Sequence, residues 1–393
     1  GKSVAVSKLW MEHPKRRQFE IEVFDPTQPP LTGVPSRVDG AQDFNAWPGF
    51  AVSPTREGSC QLFLDHLRDV VSCGNEEVYE WVIMWLAAMV QKPHELPGTA
   101  LVLRGAQGTG KSLSGEILGA MLGDRLYTIV SGSEELTGRF NVQLARRLLI
   151  QVEEAFFAAN RGIVGRLKNM ITSPLMRVER KGIDPFEIPN CARLLITSNE
   201  SWVVPAEEGE RRFMVLDVSD AHKNDHAYFG ALRRQMLDEA GTSRLLEHLL
   251  HEVHVKDDVI RRPLATDALR DQQLRSMAPE RRWFLDVLAE GVLPGDDRGK
   301  GVALFDDLYT SYVHSARDYH GGTRTLDKVA FGRFLIECGA TKYRPRSQGR
   351  ASMRRFPPLH QCRATFARGL ATTPDWEEAA DWQAGCEVLG GVA

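Results

Sequence analysis

The sequence predicts an α/β fold whose centre is a mostly parallel β-sheet. Short apolar runs occupy residues 100–103, 148–152, 194–197 and 214–217, and longer stretches separate them. Buried strands that alternate with helices are typical of parallel sheets, because each crossover helix covers one face of the sheet. We therefore expect an α/β domain over residues 96–221.

The region before this domain, residues 1–95, is predicted to be a largely helical, collar-like unit. Apolar residues recur at helical spacing over 60–71 and 76–91, and a Pro-rich loop covers 25–35. The apolar stretch 81–90 is about half as long as a membrane-spanning helix. It therefore predicts a buried core helix and no membrane segment.

Two more regions follow the predicted sheet. Residues 222–300 show helical patterns without strands and are interpreted as a lid or bridge. Residues 301–393 are expected to form a winged-helix-like domain, because two helical stretches precede a segment, 342–368, that is rich in Arg and lacks Asp and Glu. The acidic tail at 375–387 either masks this basic segment or is disordered.

Composition sets limits on partners and compartment. The chain has 393 residues and a formal net charge of -3, so any contact with nucleic acid must come from local basic patches. Its six cysteines show no C-x-x-C pair and no nearby His spacing, which argues against a zinc site or a disulfide framework and favours a reducing cytosol. The first residues lack an initiator Met and a signal peptide, which suggests a trimmed fragment.

A glycine-rich loop follows the first strand directly and precedes a helical pattern over 113–122. The loop consists of Gly105, Ala106, Gln107, Gly108, Thr109, Gly110, Lys111 and Ser112. This G-x-x-x-x-G-K-S spacing lets backbone N–H groups surround phosphates at a helix N-terminus. Lys111 would bridge the terminal phosphates of ATP, and Ser112 would hold Mg²⁺. The alternative is a Gly-rich loop that arose by chance.

Polar residues end the next two apolar runs. Glu153 and Glu154 follow the run at 148–152, and Asn199 follows the run at 194–197. In parallel sheets ligands bind at the carboxyl ends of strands, so Glu153 would order the Mg²⁺ shell while Glu154 would polarise the attacking water. Asn199 would position that water or sense the terminal phosphate. The alternatives are a solvated acidic pair and ordinary turn chemistry.

Two arginines precede the fourth apolar run. Arg211 or Arg212 would reach the nucleotide of a neighbouring subunit and stabilise charge that develops during phosphoryl transfer. The alternative is a surface salt bridge with Glu208 or Glu210.

These elements, in this order, resemble superfamily 3 helicases of the AAA+ class, most closely the helicase part of phage and prophage primase-helicase proteins. The resemblance covers about residues 95–220 and implies an AAA+ P-loop domain that assembles as a ring, with six subunits expected. Many P-loop enzymes have Asp where this chain has Glu153, so either glutamate remains a candidate base. The first 95 residues show no primase or polymerase domain, and such a domain would be missing from this chain.

The resemblance also implies a hairpin that projects a basic tip into the ring. Residues 176–188 fit a hairpin with a turn near Lys181-Gly182, so Arg177, Arg180 and Lys181 would contact DNA phosphates. The alternative is an exposed edge hairpin with solvated charges.

Basic residues of the C-terminal segment form a second group of predicted DNA contacts. This group consists of Arg344, Arg346, Arg354 and Arg355. They would bind DNA phosphates from a wing. The alternative is a solvated basic face or a subunit contact.

The predicted function is an ATP-dependent replicative DNA helicase of a phage or mobile element, which moves on single-stranded or forked DNA in the cytoplasm of a bacterial host. An ATP-gated initiator or loader that does not unwind DNA processively would use the same residues. A small-molecule kinase is disfavoured, because the hairpin and the Arg-rich segment would have no role in it.

Overall fold

A computed structural model describes most of the chain, in two compact units. The described residues are 6–154, 161–207, 209–296, 298–320, 325–344, 352–368, 370, 374, 376 and 381–383. The first unit contains the described residues of 1–204 and 211–264, and the second contains those of 205–210 and 265–393. The four-part division of the sequence remains a prediction.

The N-terminal part of the first unit combines the predicted helices with a small sheet. The elements are α1 Val6–Glu12, β1 Glu22–Val23, β2 Gly33–Pro35, β3 Gln42–Asn45, α2 Gln61–Asp65, a π-helix His66–Val71 and α3 Glu76–Gln91. The sheet has the order β1-β3-β2 and was not predicted. Strands of two to four residues are too short to show a period-two pattern, so the sequence did not reveal them.

The central sheet confirms the α/β class. Its strands and helices are β4 Ala100–Arg104, α4 Lys111–Leu122, β5 Tyr127–Ser131, α5 Gly132–Thr137, β6 Leu149–Glu153, α6 Arg161–Thr172, β7 Leu175–Arg180, β8 Ile183–Pro189, β9 Arg193–Ser198 and β10 Phe213–Asp217. Five strands form a parallel sheet in the order β10-β4-β9-β6-β5, and β7 pairs with β8 in an antiparallel hairpin. Strand β5 was not predicted.

The strand order produces a switch point beside β4. From β4 the chain passes to the outer strand β5, returns through β6 and β9, and then crosses to β10 on the other side of β4. In open α/β sheets, ligands bind in the crevice at the carboxyl ends of strands where the order reverses. The loop that follows β4 lies at that crevice.

Helices complete the first unit, and a helix-rich fold with a small sheet forms the second. The first unit ends with α7 His226–Arg233, a π-helix Arg234–Asp238, α8 Gly241–His251 and α9 Asp257–Ile260. The second contains α10 Asp267–Arg275, α11 Pro279–Glu290, β11 Val302–Leu304, α12 Phe305–His320, α13 Lys328–Glu337, β12 Thr341–Tyr343, β13 Met353–Arg355 and α14 Leu359–Ala367. The order of its antiparallel sheet is β11-β13-β12. No helix in the described part of the chain is long and apolar enough to cross a membrane.

A buried arginine joins α3 to the central sheet. Arg193 begins β9, is 2% exposed, and donates to the backbone oxygens of Ala88, Lys92 and Glu95 at 3.2, 3.2 and 2.7 Å. Burial lowers the pKa of Arg193 to about 10. These bonds add a side-chain donor to backbone carbonyls at and beyond the C-terminal end of α3.

Candidate functional site

The loop between β4 and α4 requires glycine at two positions. Gly108 and Gly110 have φ values of 84° and 86°, which L-residues rarely adopt. A Cβ on Gly108 would overlap Asn224 Oδ1, and a Cβ on Gly110 would lie 2.5 Å from the Phe229 ring. Helix α4 begins at Lys111, so the N-terminal end of the helix follows the loop directly. Such an end attracts anions, because its first N–H groups have no helical partners.

The side chain of Lys111 lies against the loop that precedes it. Its Nζ donates to the backbone oxygens of Gly105 and Ala106 at 2.9 and 2.6 Å, and the residue is 7% exposed. Burial lowers the pKa of Lys111, and the nearby Asp220 carboxylate opposes that shift. The arrangement holds a positive charge against the loop.

The loop borders a cleft of about 370 Å³ that also contains the predicted carboxylates. The cleft is lined by Gln107, Gly108, Thr109, Gly110, Lys111, Ser112, Leu113, Glu116, Glu153, Glu154, Thr197, Ser198, Asn199, Phe229 and Arg233. The structure thus brings Lys111, Ser112, Glu153, Glu154 and Asn199 together. They meet because each lies near the carboxyl end of a strand in one parallel sheet.

A hydrogen-bonded chain fixes the carboxylate of Glu153. Gln151 is fully buried, and its Nε2 donates to Glu153 Oε1 at 2.9 Å, while Tyr127 Oη donates to Gln151 Oε1 at 2.6 Å. Gln151 Nε2 also lies 3.4 Å from the carbonyl oxygen of Ser112. Our reading of the sequence missed Gln151, although a polar residue within an apolar strand was an available signal.

Glu154 differs from Glu153 in backbone and exposure. Its φ of 51° is in the left-handed region, and its side chain is exposed. A non-glycine residue in that region costs on the order of 1–3 kcal/mol and is found often at functional sites. The two adjacent glutamates therefore have different environments, one held by an amide and one open to solvent.

Helix α7 contributes two cleft residues that the sequence did not indicate. Phe229 and Arg233 are one helical turn apart and therefore share a face of α7. Arg233 pairs with Glu116 of α4 at 2.8 Å. No local pattern predicts these contacts, because they join segments more than 100 residues apart.

Arg211 and Arg212 lie at the other edge of the same sheet. Phe213 pairs with Ala100 and Asp217 pairs with Arg104, so Arg212 lies about six residues before the loop begins at Gly105, or roughly 20 Å along the strand. Arg211 is exposed and Arg212 is partly buried. Neither lines the cleft of its own chain.

The three basic residues predicted in the hairpin lie at two places, two at its tip and one at its base. Arg180 and Lys181 are exposed at the turn, where Gly182 has a φ of 80°. Arg177 instead lines a second cleft of about 530 Å³ at the base of the hairpin and lies 3.6 Å from Glu179. The predicted hairpin and its turn are confirmed.

The C-terminal arginines differ in their exposure. Arg355 is exposed, with its guanidinium 4.0 Å above the Tyr343 ring, and Arg344 is also exposed. Arg354 is only 6% exposed and stacks 4.6 Å from the Phe305 ring, because neighbouring residues of a strand face opposite sides. Its burial corrects the prediction that Arg354 contacts DNA. Arg346 lies outside the described residues.

Part of the predicted acidic tail packs within the second unit. Trp382 is 6% exposed, and its Nε1 donates to the carbonyl oxygen of Pro357 at 2.8 Å. This contact anchors the described residues 381–383.

An aromatic cluster lies behind the glycine loop. His66 and Tyr228 both contact Phe229, and His66 Nδ1 is 3.1 Å from Tyr228 Oη. His222 stacks on Tyr228 at 3.8 Å. Burial and the nearby His222 lower the pKa of His66 to about 4, so this buried imidazole is neutral at pH 7.

The chain is homologous to part of a known phage protein. A DNA primase-polymerase from Nitratiruptor phage NrS-1 is 27% identical over 223 residues, which are 54% of this chain and 31% of that protein. The match therefore spans about a third of the relative. A family model described as a family of unknown function (DUF5906) matches residues 103–212.

Solved structures of the same phage protein share the fold. The apo structure of the NrS-1 C-terminal region has a TM-score of 0.64 and 20% identity, and the match covers 89% of this chain and 90% of that one. An A-form apo structure of the region also has a TM-score of 0.64 and 20% identity, with 90% and 91% covered.

We expect His66 to make the stability of the chain depend on pH. Its folded pKa is below the ordinary value of about 6.5, so the unfolded state binds a proton first as the pH falls. The stability contributed by neutral His66 is therefore complete above pH 6.5 and is lost as the pH falls towards 4, by up to about 3 kcal/mol. Urea unfolding should show a shallower pH dependence in this window for His66→Gln than for the wild type.

The control for this experiment is His254→Gln, at an exposed histidine. It should retain the wild-type pH dependence, because an exposed side chain is solvated in both states. If the stabilities of wild type and His66→Gln depended equally on pH, this would contradict the conclusion that His66 is buried and neutral.

Proposed function

We propose that the chain is an ATP-hydrolysing motor of the AAA+ P-loop class that acts as a DNA helicase in the replication of a phage or mobile element. The supporting observation is that the glycine loop, Lys111, two glutamates and Asn199 line one cleft at the carboxyl edge of the sheet. Similarity to a phage primase-polymerase is consistent with a role in replication. The site of action is the cytoplasm of a bacterial host.

The residues of the cleft fit a nucleoside triphosphate. Gly108 and Gly110 let the loop adopt a left-handed backbone and pack closely against Asn224 and Phe229, and Lys111 supplies a positive charge beside the loop. When ATP binds, Lys111 leaves the loop carbonyls and donates to the terminal phosphates, while the first turn of α4 adds favourable N–H groups. The loop thus neutralises charge on the phosphoryl group in transfer.

Ser112 and Glu153 fit a magnesium site that is completed by phosphate and water. Among the described residues no group of three or more His, Cys, Asp or Glu could hold a metal. Mg²⁺ in phosphoryl-transfer sites needs only one or two protein ligands, because phosphate oxygens and waters fill the other positions. The bound ion would neutralise phosphate charge, and the Gln151 amide would keep the Glu153 carboxylate directed at it.

Glu154 is the proposed general base. Glu153 is held by Gln151, whereas Glu154 is exposed to the cleft and carries a left-handed backbone. An exposed carboxylate can accept a proton from the attacking water, and Asn199 can hold that water from the neighbouring strand β9. The strained backbone of Glu154 keeps this carboxylate one residue beyond the end of the strand.

The proposed motor is a ring, for which the resemblance to AAA+ helicases implies six subunits, because Arg211 and Arg212 do not reach the cleft of their own chain. Arg211 and Arg212 are roughly 20 Å along the sheet from the loop, too far for their side chains to span. A neighbouring copy could present them to the cleft, where a guanidinium stabilises the transition state.

Single-stranded and forked DNA are the proposed partners. Arg180 and Lys181 at the hairpin tip would follow the phosphates of the translocated strand, and Arg344 and Arg355 would aid loading. A primase or polymerase domain in the whole protein would use the unwound strand.

We expect Lys111→Ala to lower ATP turnover by about 100-fold or more, because it removes a charge that stabilises the transition state. Glu154→Gln should still bind ATP but turn over about 100-fold more slowly, since an amide cannot accept the proton. Steady-state phosphate release and nucleotide binding separate these effects. Lys256→Ala, an exposed lysine outside the cleft, should behave like the wild type.

Two results would contradict these roles. Wild-type turnover in Lys111→Ala would remove the loop from catalysis. Normal turnover in Glu154→Gln, together with a stalled ATP complex in Glu153→Gln, would exchange the roles of the two glutamates.

Replacement of Arg180 and Lys181 by Ala should separate DNA movement from ATP hydrolysis. Basal turnover should persist, because both residues lie outside the cleft, whereas DNA-stimulated turnover and unwinding of a forked duplex should fall together. The salt slope of single-strand binding should fall by about 1.4, since about 0.7 counterion is released per contact. The double variant Arg261→Ala with Arg262→Ala makes the same charge change at exposed sites and should have no such effect.

Normal unwinding by the double hairpin variant would exclude the hairpin from translocation. A wild-type chain with DNA-stimulated ATPase but no unwinding would instead support the loader function.

A further inference from the structure

The proposed ATP cleft has a polar side and an apolar side. Glu153 ends β6 and Asn199 follows β9, and both strands lie on one side of β4. Helix α7 follows β10, which lies on the other side of β4, and brings Phe229 to the cleft near Leu113 of α4. A nucleotide across the loop would therefore have different surroundings at its two ends.

Phe229 is held against the loop itself. The Cβ that Gly110 lacks would lie 2.5 Å from the Phe229 ring, and the backbone N–H of Asn224 donates to the carbonyl oxygen of Gly108 at 3.0 Å. Asp225 caps α7 by accepting from the backbone N–H of Tyr228 at 3.0 Å. These contacts fix the start of α7 relative to the phosphate side of the cleft.

Neighbouring rings fix the orientation of Phe229. His66 and Tyr228 meet its ring edge-to-face, with centroids 6.1 and 5.2 Å away. Edge-to-face contacts of this kind are favourable, and a neutral His66 places no charge beside the ring. The ring is thus positioned before any ligand binds, which reduces the ordering cost of binding.

We infer that Phe229 and Leu113 form a nucleobase subsite, in which the base of a purine nucleoside triphosphate stacks on Phe229 while the triphosphate crosses the loop towards Glu153 and Glu154. This inference rests on the proposed function of the cleft. Every base has a π-face, so stacking binds all bases, and a larger ring system makes more contact. Arg233 of α7 and Glu116 of α4 also line the cleft, and they pair with each other. Ring area should therefore decide the preference, with purines above pyrimidines.

The test compares ligands with and without a base. Binding of non-hydrolysable ATP and CTP analogues and of inorganic triphosphate is measured by calorimetry for wild type, Phe229→Ala and Phe229→Trp. Phe229→Ala should weaken binding of the ATP analogue by about fivefold to 100-fold. The affinity of this variant for triphosphate should stay within about twofold of the wild-type value, because triphosphate has no base to stack. The preference for ATP over CTP should shrink, and Phe229→Trp should restore it.

A control and three outcomes separate this inference from the proposed function. Phe140→Ala removes an aromatic ring that is 53% exposed and outside the cleft, and it should bind all three ligands like the wild type. Unchanged binding of the ATP analogue by Phe229→Ala would overturn the base subsite alone. An equal loss for the ATP analogue and triphosphate would also overturn it, by showing damage to the loop. A wild-type chain that binds neither ligand would overturn the proposed ATP function itself.

Discussion

Because the five strands of the central sheet are parallel, all of their carboxyl ends lie at one edge, and the candidate chemistry depends on this constraint. The glycine loop follows β4, Glu153 ends β6, and Asn199 follows β9. Residues that are almost 100 positions apart in sequence thereby share one cleft. The same geometry keeps Arg212 at the opposite edge, so the glycine loop and Arg212 of a single chain lie apart.

Buried hydrogen bonds and close packing maintain this edge. Gln151 and Tyr127 hold the Glu153 carboxylate, and Arg104 at the end of β4 makes two bonds to Asp217 at the end of β10, at 2.6 and 2.7 Å. Paired bonds between a guanidinium and a carboxylate fix direction as well as distance. The glycine loop between β4 and α4 also packs against α7 at Gly110, where a side chain would displace Phe229. Side chains of β5, β6, β4 and β10 therefore support the site.

Patterns that are local in the sequence predicted the fold best. Each of these patterns depends on residues within a few positions of each other. They are the glycine loop, the strand ends near Glu153 and Asn199, and the Lys181-Gly182 turn, and the structure contains all of them. Strand β5 was missed because it is an edge strand with partly exposed residues and no continuous apolar run. Phe229 and Arg233 could not be predicted, because they meet the cleft through packing between distant segments. Arg354 was misread because strand alternation, and not composition, decides which arginine is exposed.

We propose that the site is complete only when a second copy supplies Arg211 or Arg212. Its most direct test is ATP turnover per chain over a range of protein concentrations, with the oligomeric state measured on the same samples. We expect turnover per chain to rise in parallel with the assembled fraction and to be near zero for the monomer, because Arg211 and Arg212 do not line the cleft of their own chain. Constant turnover per chain from monomer to assembled ring would contradict it.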